Sequence, residues 1–272
     1  MPRQSLFLAS LLLLCCAWVA QGAPARRAAT PPSAQPGKVL EGPLAGMQFI
    51  PLPGGTFSMG TALAPGDSLP EGRHSDEFPA HTVTLSPFAI MSTEVTQAHY
   101  AAVMGTRPSR FQGEQRPVEQ VSWRDAQAFI AKLNLMDPGR NFRLPTEAEW
   151  EYACRAGSKG AWSCAEKDLP GHAVFRANSA SSTQPVAGRS PNAWGLFDMH
   201  GNVWEWCMDL YGAYGVEADV DPQGPSEGVG RVARGGCWYG AADEVGSAVR
   251  FDGTLVNRGS DVGFRLCCSP QE

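Results

Sequence analysis

Asp198 and Glu205 stand at the two ends of a glycine-bearing turn in the run Asn192-Ala-Trp-Gly-Leu-Phe-Asp-Met-His-Gly-Asn-Val-Trp-Glu-Trp-Cys-Met-Asp209. Two carboxylates with backbone carbonyls between them can close around a hard cation such as calcium, which takes oxygen ligands. The same pair could instead accept backbone hydrogen bonds in a tight turn. His200 lies inside the turn, as a general base or as a structural histidine. Trp194, Trp204 and Trp206 from this run, with Trp238, offer rigid surfaces for a cleft wall or for the core. Six cysteines follow the first twenty residues: Cys154, Cys164, Cys207, Cys237, Cys267 and Cys268. No Cys-x-x-Cys pair occurs, which argues against a zinc site.

Helices and strands must hold these residues. Met47 to Met59 reads as two short strands about a Pro-Gly-Gly turn. His81 to Leu85 alternates as a strand, and Phe88 to Val95 is extended. Thr96 caps a helix that stops at Gly105. Ser122 to Leu133 is the clearest helix, with Trp123, Ala126, Phe129, Ile130 and Leu133 on one face. Thr146 to Cys154 is another, with Thr146 and Glu149 in capping-box positions. After Gly157 no helical period persists, and Gly, Pro, Asn, Ser and Trp dominate. That stretch needs staples, from cysteines or bound ions. Val262 to Cys268 alternates and reads as a final strand. The fold class is α+β, with much irregular structure.

The N-terminus carries a secretory signal: Arg3, an apolar run from Leu6 to Val19, and small residues for cleavage after Gly22. Residues 1–22 are therefore a signal peptide, and the mature chain is periplasmic or secreted. The apolar run is too short for a membrane span. Residues 23–46, rich in Ala, Pro and Arg, read as a flexible linker. The domain occupies 47–272. An even cysteine count in an oxidising compartment favours disulfides. A net charge of −5 without a basic stripe argues against a nucleic-acid partner.

Five segments in order resemble the formylglycine-generating-enzyme-like (sulfatase-modifying factor) family. They are Pro53-Gly-Gly-Thr-Phe-Ser-Met-Gly60, Pro117-Val-Glu-Gln-Val-Ser-Trp123, and Arg143-Leu-Pro-Thr-Glu-Ala-Glu-Trp-Glu-Tyr-Ala-Cys154. The other two are Gly195 to Trp206, and Arg234-Gly-Gly-Cys-Trp238 with Gly263-Phe-Arg-Leu266. The resemblance implies a decorated C-type-lectin fold stabilised by calcium. It maps the calcium ligands to the side chains of Asp198 and Glu205 and the carbonyls of Gly201 and Val203. It marks Glu147 and Glu151 as structural.

Oxidases of this family use two cysteines after an Arg-Gly-Gly-Ser segment to bind copper and make formylglycine. Aligned on Arg234-Gly235-Gly236, those positions hold Gly240 and Val245. Counted back from Arg250 and Gly263, they hold Cys237 and Ala242. Either register lacks the thiolate pair that Cu(I) requires, so neither copper nor formylglycine chemistry is expected. Cys207 and Cys237 form a bridge or a redox thiol pair. Asp243, Glu244 and Arg250 line a remodelled pocket or a solvated loop, and Cys237, Asp243 and Arg250 are the catalytic candidates. Whether the chain is an enzyme stays open.

The implied function is an exported maturation or accessory factor, of the siderophore pyoverdine-maturation or type VI secretion-regulating kind. Its partner would be a protein or a peptide-like substrate. The alternatives are a lectin-like protein- or glycan-binding module, using loops such as 61–79 and 211–230, and an oxidase with an altered centre at Cys237.

Overall fold

The computed structural model of the chain describes residues 36–63 and 75–269. The signal segment, linker residues 23–35 and part of the 61–79 loop lie outside the described residues. The folded part starts earlier than position 47. Leu40–Glu41 (β1) pairs with Gln48–Leu52 (β2), and the Gly37 amide donates to the Pro51 carbonyl at 2.8 Å. Residues 37–46 therefore pack on the domain and are not linker.

Three small sheets carry the strands. One runs β1, β2, Phe88–Met91 (β5), Cys267–Cys268 (β11). A second joins Gly55–Met59 (β3), His81–Leu85 (β4) and Asp219–Val220 (β7). The third orders Val262–Gly263 (β10), Trp204–Leu210 (β6), Gly230–Arg234 (β8) and Arg250–Thr254 (β9). The strands on either side of the Pro-Gly-Gly turn do form, but they do not pair with one another. β2 pairs with β1 and β5, and β3 with β4. Gly54, at φ 75°, lies against the Leu85 carbonyl, where a Cβ would collide. The expected single terminal strand is two short ones, β10 and β11, in different sheets.

Helices start where their caps stand. Gln97–Met104 (α1) follows Thr96, Trp123–Met136 (α2) follows Ser122, and Glu147–Arg155 (α3) follows Thr146. At each start the cap hydroxyl takes an N3 amide, and the N3 side chain returns to the cap amide. α1 stops at Gly105, which adopts the left-handed conformation. The α2 face of Ala126, Phe129, Ile130 and Leu133 is buried in a core with Phe49, Phe142, Trp206 and Phe264. Trp150 and Ala153 of α3 join a second core with Leu85, Leu196, Cys207 and Val232. Beyond Gly157 the one further α-helix among the described residues is the single turn Leu169–His172 (α4).

Candidate functional site

The Asp198–Glu205 turn is shaped by positive φ at Asp198 (58°), Gly201 (87°) and Asn202 (60°). Gly201 is required there, because a Cβ would collide with the Val174 carbonyl. The turn is tied down by Val174 N–H to His200 O (3.1 Å), Asn202 N–H to Val174 O (2.7 Å) and Gly201 N–H to Gly235 O (2.7 Å). The last bond joins it to the Arg234-Gly-Gly loop. Asp198 is buried, and its Oδ2 accepts the Ala187 amide at 2.7 Å, while Oδ1 has no partner.

Glu205 departs from expectation. Its carboxylate is fully buried and takes both arms of Arg265, at 2.6 and 2.7 Å, and the indole N–H of Trp150 at 2.8 Å. A second carboxylate that sequence reading missed faces the turn. Glu94 is fully buried, accepts the Asn202 amide nitrogen at 2.9 Å through Oε1, and leaves Oε2 without a partner. Burial, then the neighbouring Asp198 and Glu205 charges, push its carboxyl up. Burial also pushes up Asp198. Among the described residues no three His, Cys, Asp or Glu side chains form a ready metal-ligating group. The Glu94 and Asp198 carboxyls lie against each other, with one oxygen of each meeting no other donor, and that pair nevertheless fits a calcium ion. They are hard donors in a buried pair, and a cation would satisfy them. Glu94 follows the apolar strand Phe88–Met91 but stands between Thr93 and Val95, so its burial had no clear signal in the sequence.

His200 is structural. It is buried, its Nδ1–H donates to the Val245 carbonyl at 2.8 Å, and Nε2 accepts the Ser163 amide at 3.1 Å and hydroxyl at 2.9 Å. Burial lowers it to about 4, so the ring stays neutral.

The catalytic candidates stand on different elements: Cys237 follows the Arg-Gly-Gly segment, Asp243 lies in a 3-10 turn and Arg250 starts β9. Cys237 is 2 % exposed, and burial pushes its thiol up to about 12, so no reactive thiolate stands there. All six cysteines among the described residues are free thiols, and Cys207 and Cys237 are not bridged. Cys207 lies on β6, packed with Cys154 and Cys267 in the second core, where apolar burial keeps each side chain a small hydrophobe. Of the positions that the two registers give to the oxidase pair, Cys237 and Gly240 precede a 3-10 turn at Ala242–Val245, and Ala242 and Val245 are its first and last residues.

Arg250 is paired with Glu147 at 2.6 and 2.9 Å and lies over the rings of Tyr214 and Tyr211. It borders a cavity of about 190 Å³ with His81, Asp209 and Tyr214. Asp243 borders a different cavity, of about 390 Å³, with Arg155, Lys159 and Trp162. Trp238 borders neither, so these two cavities do not bring Trp238, Asp243 and Arg250 together. Of the four tryptophans, Trp206 and Trp194 are core. Trp204 stacks on Phe251, and Trp238 meets Phe111 and Tyr239 edge to face. Glu147 and Glu151 are structural: Glu151 binds Arg155 at 2.7 Å and pairs with buried Arg234.

No helix among the described residues is long and apolar enough to cross a membrane. The sequence profile of the Sulfatase-modifying factor enzyme 1-like domain matches residues 37–269. The chain is 32 % identical to the formylglycine-generating enzyme of Streptomyces coelicolor, over 79 % of this chain and 87 % of that one. It is 34 % identical to the chaperone protein LppX of Paenibacillus barcinonensis, over 68 % of this chain and 81 % of that one. The solved structure of PvdO from Pseudomonas aeruginosa superposes with a TM-score of 0.75 at 29 % identity, covering 87 % of this chain and 99 % of that one. With this fold, this order of signature segments and this match, the chain belongs to the formylglycine-generating-enzyme-like, sulfatase-modifying factor family.

Proposed function

We propose that this protein is an exported, catalytically divergent member of the family that acts as a maturation or accessory factor for a protein or peptide-like substrate. The observation that carries the reading is the loop after Arg234-Gly235-Gly236. In either register at least one oxidase cysteine is missing, the two positions being Gly240 and Val245 or Cys237 and Ala242, and burial pushes the Cys237 thiol up to about 12. The scaffold is kept while the thiolate pair is lost. A relative named as a chaperone favours an assisting role. The resemblance of the signature segments points to siderophore maturation or secretion control as the settings. In this reading a calcium ion is held by Asp198 and the carbonyls of Gly201 and Val203. Glu94 adds a carboxylate, and Glu205 braces the loop through Arg265.

The test has two arms. The mature chain is incubated with a cysteine-containing sulfatase peptide, copper and oxygen, and aldehyde is sought by mass spectrometry. No aldehyde is expected. In cells lacking the chain, an exported peptide or protein should accumulate unprocessed, and the Cys237→Ser chain should restore it. Aldehyde formation that disappears in Cys237→Ser would establish the oxidase instead.

A further inference from the structure

We propose that the corner formed by Phe111, Trp238 and Tyr239 binds an organic cation (an ammonium, amidinium or guanidinium group), with Glu119 and Asp261 as its charge partners. The inference deepens the reading above by naming what the Arg234–Tyr239 face would recognise in its substrate, and it rests on that reading.

Glu119 is the first observation. Its side chain lies at 0 % exposure between Val118 and Val121 of the first core. Its position is fixed, because its amide donates to the Ser109 hydroxyl oxygen at 3.1 Å and the Ser109 hydroxyl donates to its carbonyl at 3.3 Å. Oε1 accepts the Phe111 amide at 2.8 Å, and Oε2 has no partner. A buried carboxylate oxygen left unpaired is costly, and a cation from outside removes that cost. Burial raises the carboxyl to about 7, opposed by the Phe111 and Arg110 amides and the Arg110 charge, and aided by Asp261.

The second observation is the wall around it. The Phe111 and Trp238 rings meet at 85° with centroids 5.3 Å apart, and Trp238 meets Tyr239 at 85° and 4.9 Å. Trp238 is held by its indole N–H on the Ser260 carbonyl at 3.0 Å. The next residue, Asp261, accepts the Tyr239 hydroxyl at 2.6 Å. Tyr239 is a large aromatic left 49 % exposed, so this wall opens to solvent. Aromatic faces attract cations, and this one already carries one: the Arg110 guanidinium lies 5.2 Å from the Phe111 centroid. An anion would meet two carboxylates here. A neutral apolar ligand would leave Glu119 Oε2 unpaired.

The mature full-length chain is titrated with benzamidinium, benzamide and benzoate, which share a shape and differ in charge, followed by saturation-transfer NMR and tryptophan fluorescence. Benzamidinium should bind saturably and at least about tenfold more tightly than either of the others. Asp261→Asn and Tyr239→Ala, both at the surface, should each weaken it by about tenfold with unchanged melting. Glu119→Gln should do the same where it folds. Equal binding of benzamidinium and benzamide, no saturable binding, or indifference to Asp261→Asn would each overturn the proposal. A chain that restores processing in cells yet binds no benzamidinium loses the cation corner alone. A chain that makes aldehyde loses the accessory reading whatever the corner binds.

Discussion

Glu205 and Arg265 lie face to face in the core, the carboxylate of the signature turn gripped by both arms of a guanidinium sixty residues further along the chain. Both side chains are essentially inaccessible, at 1 % and 0 %. Arg265 also donates to the carbonyls of Met91 and Phe197, at 3.1 and 2.9 Å. One pair thus links β6, β5 and the turn. Removing one partner strands the other as a buried charge. Glu205→Gln or Arg265→Met should each cost about 3–5 kcal/mol in urea unfolding, and the double variant should cost less than the sum. Additive losses would mean that the two groups do not act as a pair.

Calcium should stabilise the fold through Asp198 and Glu94. Burying these two acids with an oxygen each unsatisfied leaves a place that a divalent oxygen-seeking ion suits. A chelator should lower the melting temperature of the purified chain. Restored calcium at about 100 times its Kd should return about 2.7 kcal/mol. Asp198→Ala should abolish the response and Glu94→Gln should weaken it. A melting curve indifferent to chelator, with no calcium found by elemental analysis, would remove the ion from the account.

The cysteines offer a direct count. All six described thiols are free, and Cys164 is the one that is not buried. A thiol reagent should titrate about one group in the native mature chain and all six in guanidinium, in line with access and burial controlling reactivity. A count of four or fewer after unfolding would show that bridges form after all.

Much of this was legible because it was local. Thr96, Ser122 and Thr146 each precede their helix by one residue, and the cap is chemistry between positions three apart. The α2 stripe from Ala126 to Leu133 follows from the helical period alone. The turn at Asp198–Glu205 was visible from its residue types, and its glycine does take positive φ. What sequence spacing could not carry was partnership at a distance. Nothing near Glu205 points to Arg265, so both were open to a different assignment. β2 and β3 are separated by two residues yet enter different sheets, because Gly54 packs on the Leu85–Ser86 backbone and turns the chain away. Glu94 and Glu119 sit among polar neighbours such as Thr93 and Gln120, where an acid reads as a solvated side chain until its burial is seen. The cysteine parity argument failed for a related reason: an even count says nothing about whether any two sulfurs meet.

Asp209 should make stability fall with rising pH. It ends the signature run, is 3 % exposed, and accepts the Glu147 amide at 2.8 Å. Burial first, and then the Glu147 charge, raise its carboxyl to about 7, against an ordinary value of 3.8. Between those two values the folded chain keeps a proton that the unfolded chain has released. The unfolded state therefore binds fewer protons, and the stability slope against pH is negative there. This contribution is fully present below pH 4 and is lost as pH approaches 7. Asp209→Asn keeps an oxygen for the Glu147 amide and carries no charge. It should melt like the parent near pH 4 and be more stable at pH 8 by about 2 kcal/mol, a discounted share of the full shift. Thermal melts of both chains at those two pH values decide it. If the variant is no more stable at pH 8, then Asp209 is ionised in the fold at an ordinary cost, and the acid beside Glu147 is not under strain.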